Sequence, residues 1–168
     1  MDERRRSYRL AFILFWSVLL YFCFQRYVVG VGIISERSML PLFQEGERYL
    51  INKFCHRFVP PQRGDIIVLR RMEEMLEEEQ QYIKRVVGLP GETFQILGGL
   101  VFINGHILEE SYAIGPTTPD LGPLVIAPRS YFVMGDNRPE SMDSRSFGVV
   151  SLQDIEGKIQ PGQWFPWW

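Results

Sequence analysis

The sequence is poor in cysteine and histidine, with two of each among its 168 residues. Cys23 lies inside an apolar segment and Cys55 outside it, so the two are not expected to form a disulfide. No C-x-x-C spacing occurs, and His106 is distant in sequence from the adjacent Cys55 and His56. A disulfide framework and a zinc site are therefore not supported, and we expect neither a metal nor another cofactor.

A strong excess of one charge is also missing. The 18 Lys and Arg residues and the 20 Asp and Glu residues leave a net charge of −2, so nucleic acid is not an expected partner. Lysine is scarce and occurs only as Lys53, Lys84 and Lys158. The chain has 168 residues, of which 46% are hydrophobic, and this is enough for one domain with a hydrophobic core.

A full-length membrane-spanning run is lacking as well. The longest uncharged apolar run, 10–24, has fifteen residues, whereas a span needs about 20. Arg9 and Arg26 can lengthen the span by snorkelling. We therefore predict a basic cytoplasmic N-terminus over 1–9, a transmembrane anchor over 10–29, and residues 30–168 on the outer face.

Two alternatives to the anchor stay open. A cleaved signal peptide also has a basic start and an apolar run, but this run is long and rich in aromatic residues. A buried core helix would normally be amphipathic, whereas residues 10–24 are apolar all round.

After residue 34 the pattern is typical of β-strands. Short β-branched and aromatic runs alternate with turn residues, and Asn104-Gly105 predicts a hairpin. These runs lie at 49–53, 66–70, 82–87 and 131–134. The acidic insertion 72–81 is the one strong helix-forming stretch, and 111–123 is typical of a long surface loop. We therefore predict a mostly β protein, a compact antiparallel domain behind a single N-terminal transmembrane helix.

Ser38 is a candidate nucleophile without an activating neighbour in the sequence. A serine hydroxyl needs an adjacent base. His106 is expected in the hairpin turn and His56 in a loop, so a Ser-His-Asp triad is disfavoured, although only the fold can exclude it.

Lys84 is the alternative base. It lies in the strand-like run 82–87, where neighbours alternate faces, so Lys84 and Arg85 point opposite ways. The ordinary interpretation places such a lysine on the solvated face. A neutral lysine near pH 7 requires a shift of ~3.4 units from ~10.4, or about 4.6 kcal/mol. Burial can supply that shift, but only in a dry pocket without a nearby carboxylate.

Four motifs follow the apolar segment along the chain, in an order that is typical of a known protein family. They are Ser38-Met39-Leu40-Pro41, the strand 64–68 (GDIIV), the lysine motif 82–92 (YIKRVVGLPGE), and the C-terminal signature 135–148 (GDNRPESMDSRSFG). With these motifs the chain resembles type I signal peptidase, the membrane serine/lysine leader peptidase of the S26 family. It resembles the cyanobacterial branch of that bacterial family most.

The resemblance implies an activity and roles for particular residues. The expected enzyme removes N-terminal signal peptides from secreted preproteins after small residues, in an Ala-x-Ala-like pattern. Ser38 would be the nucleophile, with its backbone N–H as one oxyanion donor, and Lys84 the general base. Ser141 would orient the lysine amine. The remaining supporting residues would be a charged pair, Asp143 and Arg145, which Arg85 would join.

The resemblance also implies partners and a location. The partners would be the signal peptides of preproteins and membrane lipid, at the plasma or thylakoid membrane. The aromatic tail 164–168 fits either an interfacial patch or a packed chain terminus.

Two residues depart from the family pattern. Glu36 stands where the family has a small hydroxyl residue or glycine that helps to form the oxyanion hole, and Leu42 replaces a threonine. A carboxylate beside a developing oxyanion is unfavourable, so we expect Glu36 to point away. Losing one oxyanion donor typically costs ~10²–10³ in rate.

Glu36 therefore keeps a second interpretation open, a catalytically weak or inactive paralogue that binds signal peptides or a membrane partner. A different Ser-Lys protease, such as a self-cleaving repressor or a pilin peptidase, is a third interpretation, and the anchor argues against the repressors. A structural β protein without activity is a fourth.

Overall fold

The computed structural model describes residues 2–27, 29–54, 58–73 and 78–159. Helix α1 comprises Asp2–Tyr27. Its window Arg6–Cys23 is long and apolar enough to cross a membrane, and none of that window is buried against the rest of the chain. The interpretation as a buried core helix is therefore not supported, because none of the described residues covers these apolar side chains.

The rest of the described chain is mostly β-structure. Its strands are β1 (Val29–Ile33), β2 (Arg48–Asn52), β3 (Ile66–Glu73), β4 (Glu78–Gly88), β5 (Thr93–Leu97), β6 (Leu100–Ile103), β7 (His106–Ile107), β8 (Leu121–Val125), β9 (Ser130–Met134), β10 (Val150–Ser151) and β11 (Ile155–Ile159). The short helix α2 comprises Ser144–Phe147, and 3-10 turns occupy Arg138–Glu140 and Leu152–Asp154.

The strands form two antiparallel sheets. The larger has seven strands in the order β1-β2-β11-β3-β4-β9-β10, and the smaller has four in the order β7-β6-β5-β8. Every strand pairing within them is antiparallel. The predicted architecture, an apolar N-terminal helix before an antiparallel β domain, is confirmed.

The Asn104-Gly105 hairpin forms as predicted. Asn104 has φ 51° and Gly105 has φ 80°, the left-handed conformations that a two-residue hairpin turn requires. The turn joins β6 to β7. The predicted loop 111–123 is shorter than expected, because β8 already begins at Leu121.

The described residues of the acidic stretch 72–81 do not form the helix that their local propensity favours. The arms that flank the undescribed residues 74–77 are strand, not helix. Strands β3 and β4 pair from Ile66 opposite Arg85 onward. The same pairing continues without a break through Arg70 opposite Gln81 and ends at Glu73 opposite Glu78. Extension of an established ladder thus overrides the helix propensity of the local residues.

Two of the three buried apolar clusters pack on the large sheet, and the first of them holds the turn between β1 and β2. One includes Met39 and Phe43, each 2% exposed, together with Ile66 and Val68 of β3. A second lies between β3, β4 and β9, and the third fills the smaller sheet around stacked Phe94 and Phe132, whose ring centroids are 3.8 Å apart. The residues after β1 therefore dock onto β3 through apolar contacts.

Candidate active site

Strand β4 carries Lys84 into the protein interior. The strand is hydrogen-bonded to β3 on one side and to β9 on the other, so it has no free edge there. Alternation leaves Ile83 and Arg85 half-buried on one face and buries Lys84 completely on the other. The ordinary interpretation of Lys84 as a solvated surface lysine is therefore wrong.

Ser38 lies in a turn between β1 and β2. The turn is fixed below by buried Met39 and Phe43, and the Phe43 N–H donates to the Met39 carbonyl at 3.1 Å. From the other side, the Asn137 N–H donates to the Ser38 carbonyl at 3.0 Å and Asn137 Nδ2 donates to the Arg37 carbonyl at 3.1 Å. The loop after β9 thus holds the backbone of the candidate nucleophile.

Ser38 and Lys84 meet although 46 residues separate them. Lys84 Nζ donates to Ser38 Oγ at 2.7 Å. Ser38 is 2% exposed and Lys84 0% exposed, so the contact is shielded from water. Of the two histidines, His106 is exposed on the smaller sheet, and His56, like Cys55, lies outside the described residues.

Glu36 also reaches this pair, contrary to the expectation that it points away. Its Oε2 accepts a hydrogen bond from Lys84 Nζ at 3.1 Å and one from Ser38 Oγ at 3.2 Å. The Glu36 side chain is 40% exposed, so the carboxylate lies between the buried pair and solvent. The expectation was wrong because the turn aims residues 36 and 38 at the same amine.

Burial and charge act on Lys84 in opposite directions. Burial is the largest influence and lowers the pKa of the amine below the ordinary lysine value. Glu36 opposes that effect by its charge and its hydrogen bond. The charge of Asp143 also raises the pKa of Lys84, and that of Arg145 lowers it.

Asp143 and Arg145 form a tight pair beside the site. Both oxygens of the fully buried Asp143 carboxylate accept hydrogen bonds from the Arg145 guanidinium, each at 2.8 Å. Asp143 Oδ2 also accepts the Gly135 N–H at 3.0 Å. These interactions outweigh burial and lower the pKa of the Asp143 carboxyl. The pair anchors the end of β9, just before Asn137.

Ser141 contacts the same anchor rather than the lysine. Its Oγ accepts the Gly135 N–H at 3.1 Å, and a hydrogen bond from it helps to lower the pKa of Asp143. Among the described residues, the hydrogen bonds of Lys84 Nζ go to Glu36 and Ser38. Glu36 therefore makes the contact with the amine that the resemblance gave to Ser141.

Arg85 does not join Asp143 and Arg145. Its guanidinium pairs with Asp136 at 2.8 and 2.5 Å, donates to the Gly64 carbonyl at 2.9 Å, and lies 4.2 Å from the centre of the Tyr112 ring. Strand alternation places Arg85 on the face of β4 opposite Lys84. The predicted grouping is thus wrong, because a side chain on that face cannot reach the pair.

Sequence reasoning missed two structural contributors within the C-terminal signature. Asn137 holds the Ser38 turn, and Arg138, 1% exposed, binds the Glu110 carboxylate at 2.7 and 3.0 Å. Both residues stand in the quoted motif, but nothing in one sequence indicates which distant backbone or carboxylate they contact.

A cleft of about 460 Å³ opens beside the Ser38 hydroxyl. Its lining includes Ile33 and Ile34 at the end of β1, Met39, and Ile83 of β4. Among the described strands, β1 is hydrogen-bonded on one side only, to β2. The arrangement provides a hydroxyl and a strand edge at one opening, and the buried Lys84 amine is hydrogen-bonded to that hydroxyl from the protein interior. This is suited to nucleophilic attack on an extended peptide.

Known proteins are similar to this chain in sequence and in fold. The family described as signal peptidase, peptidase S26, matches residues 7–166. Signal peptidase I of Leptolyngbya laminosa is 40% identical over 152 residues, which cover 88% of this chain and 75% of that protein. Signal peptidase I P of Bacillus subtilis subsp. natto is 35% identical over 152 residues, covering 84% of this chain and 80% of that protein.

A solved structure supports the same relationship. The crystal structure of a signal peptidase I from Enterococcus faecalis aligns with a TM-score of 0.50 and 35% identity, covering 60% of this chain and 97% of the other. The resemblance found in the motifs, including that to cyanobacterial relatives, is thereby confirmed. The chain belongs to the signal peptidase family, peptidase S26.

Proposed function

We propose that this chain is a membrane-anchored serine endopeptidase that removes N-terminal signal peptides from preproteins after small residues. The family membership supports the reaction, and the 2.7 Å contact between the buried Ser38 hydroxyl and the buried Lys84 amine supports the mechanism. Ser38 acts as the nucleophile and Lys84 as the general base.

The chemistry proceeds in two steps. Neutral Lys84 accepts the Ser38 proton while Oγ attacks the scissile carbonyl carbon, and the Ser38 N–H stabilises the oxyanion. The resulting ammonium donates that proton to the leaving amine, and an ester to Ser38 forms as the peptide bond breaks. Lys84 then takes a proton from water, and the hydroxide adds to the ester carbonyl carbon. The bond from that carbon to Ser38 Oγ breaks, the peptide leaves with a new carboxyl group, and Lys84 returns the proton to Ser38 Oγ.

Supporting residues keep the two reacting groups in place. Asn137 fixes the Ser38 backbone, while Asp143 and Arg145 anchor the loop from which Asn137 projects. An extended signal peptide would add to the free edge of β1 and present its scissile bond to the cleft.

The test is cleavage of a preprotein carrying an Ala-x-Ala site, in detergent, by wild type, Ser38→Ala and Lys84→Ala. We expect both variants to lose about 10³-fold or more in kcat/KM. Lys158→Ala is the matched control, because Lys158 pairs with Asp65 away from the site, and it should cleave normally. Full activity of Ser38→Ala would refute the mechanism.

The location proposed for the site is the outer face of the plasma or thylakoid membrane. Helix α1 is the candidate span, and Arg4, Arg5, Arg6 and Arg9 favour a cytoplasmic N-terminus. Membrane lipid is then a partner of α1. In intact cells, external protease should digest the β domain and spare an N-terminal tag, and the opposite pattern would contradict the orientation. The aromatic tail 164–168 lies outside the described residues.

A binding protein without efficient cleavage is the second candidate function. The observation that favours it is the ion pair between Glu36 and Lys84, which stabilises the protonated lysine that cannot accept the Ser38 proton. Binding of a signal peptide without cleavage at any pH would support this alternative.

A further inference from the structure

The carboxylate of Glu36 lies directly on the two reacting groups. Its Oε2 is 3.1 Å from Lys84 Nζ and 3.2 Å from Ser38 Oγ, while those two atoms are 2.7 Å apart. The three side chains therefore form a closed triangle of hydrogen bonds. A carboxylate in that triangle both directs the amine and favours its charged form.

We propose that Glu36 is a third functional residue of this site, a positioning residue that holds the Lys84 amine against the Ser38 hydroxyl and sets the pH range in which that amine acts as base. The proposal rests on the function proposed above.

The first step is positional. The Lys84 amine is carried on a flexible four-carbon side chain. A second hydrogen-bond partner besides Ser38 therefore helps to keep the amine directed at the Ser38 hydroxyl. Ser141 does not supply that partner, because its hydroxyl is engaged with Gly135 and Asp143. Glu36 does, from the solvent side of the amine.

The second step is electrostatic. Asp143 also faces the lysine from the loop after β9, but Arg145 binds both of its carboxylate oxygens. From β2, the Tyr49 phenol also faces Glu36, but its pKa is raised chiefly by burial and then by the charges of Glu156 and Glu36, so it stays neutral near pH 7. Among the described residues, no guanidinium is bound to Glu36. Its negative charge therefore acts on Lys84 without the neutralisation that Arg145 gives to Asp143.

The sign of the effect follows from the paired charges. Glu36 stabilises the ammonium, so the neutral amine becomes available only at higher pH than it would beside a neutral residue. An opposite charge in contact favours the charged form of its partner, and the 40% exposure of Glu36 means that solvent screens part of the effect. The acid limb of activity should therefore lie at higher pH in wild type than without that charge.

The experiment compares pH profiles of kcat/KM for the full chain in detergent with the preprotein substrate. Glu36→Gln keeps an oxygen acceptor but removes the charge, so the acid limb should move to lower pH while the plateau stays within about threefold. Glu36→Ala removes both, so the limb should move similarly and the plateau kcat should fall about tenfold. Glu45→Gln, an exposed carboxylate of the same loop, is the matched control and should follow wild type.

A second readout does not require cleavage. The chain has only Lys53, Lys84 and Lys158, so NMR titration of labelled lysine side chains can follow the Lys84 amine directly. In the Ser38→Ala background, adding Glu36→Gln should lower the Lys84 midpoint, and adding Glu45→Gln should leave it in place.

The outcomes separate this inference from the proposed function. If wild type cleaves but Glu36→Gln and Glu45→Gln superimpose on it in both readouts, the role of Glu36 is refuted and the protease remains. If no variant cleaves at any pH, the proposed function fails, while the lysine titration still decides whether Glu36 controls the amine. A downward shift in both readouts supports both.

Discussion

Gly135 lies close to the Ser38 carbonyl, which leads to a prediction about a substitution at this glycine. A Cβ built on Gly135 would lie 2.5 Å from the Ser38 carbonyl oxygen and 2.3 Å from Ser141 Oγ. Rotation of the Ser141 side chain moves its Oγ but not its Cβ, which would lie 2.6 Å from the added carbon. The Ser38 carbonyl is backbone and is already held by the Asn137 N–H. The substitution Gly135→Ala must therefore displace the backbone at Ser38 and at Ser141 from the end of β9.

The size of the displacement sets the expected loss. Non-bonded heavy atoms prefer about 3.5 Å, so the Ser38 carbonyl and the end of β9 must separate by roughly 1 Å. A 1 Å misplacement of a reacting group can cost about 10²-fold in rate. Overpacking of this kind also costs about 1–3 kcal/mol of unfolding free energy. We expect Gly135→Ala to show both losses.

Preprotein cleavage and urea unfolding measure the two effects in the same sample. Gly122→Ala is the matched control, because a Cβ there meets nothing within 4 Å. It should cleave normally and be at least as stable, since Ala is the better strand residue by about 0.5–1 kcal/mol. Wild-type kinetics and stability for Gly135→Ala would refute the claim that the end of β9 fixes the nucleophile.

Three further predictions concern the buried charges. Arg145→Met strands the Asp143 carboxylate and should cost about 3–5 kcal/mol of unfolding free energy, measured in urea; a cost below about 1 kcal/mol would contradict this. Because the pKa of Asp143 is lowered in the fold, its stabilisation should be present above about pH 3.9 and lost as the pH falls further. Acid titration of Asp143→Asn should thus lack that loss. Arg85→Leu leaves the Asp136 carboxylate without its ion-pair partner and should destabilise the fold. It should not move the acid limb of cleavage, because Arg85 and Lys84 lie on opposite faces of β4. A shifted limb would show that the two faces are coupled.

The sequence predicted the β domain because its strands follow simple alternation. Lys84 and Arg85 point to opposite faces as expected, and β6 and β7 meet at the predicted hairpin. In the acidic stretch 72–81, the local residues favoured a helix, whereas the described residues of the stretch are strand. Glutamates favour helix locally, but the ladder begun at Ile66 continues through Arg70 and overrides that preference.

The site was predictable in composition but not in contacts. The motifs identified Ser38 and Lys84, whereas the partner of Arg85 depends on which loop covers the far face of β4. The direction of Glu36 was equally out of reach, because it depends on the path of the turn that carries Ser38. Side-chain direction within a turn follows from tertiary docking, here against Met39 and the loop after β9, rather than from spacing.

The Glu36 contact also connects the two candidate functions. In the proposed mechanism, the site with protonated Lys84 would bind a peptide without deprotonating Ser38, and the site with neutral Lys84 would do both. Each pH unit below the lysine midpoint reduces the reactive fraction about tenfold. A protein that binds without cleaving at low pH and cleaves at high pH would therefore be one enzyme, whose behaviour is set by a carboxylate 3.1 Å from its base.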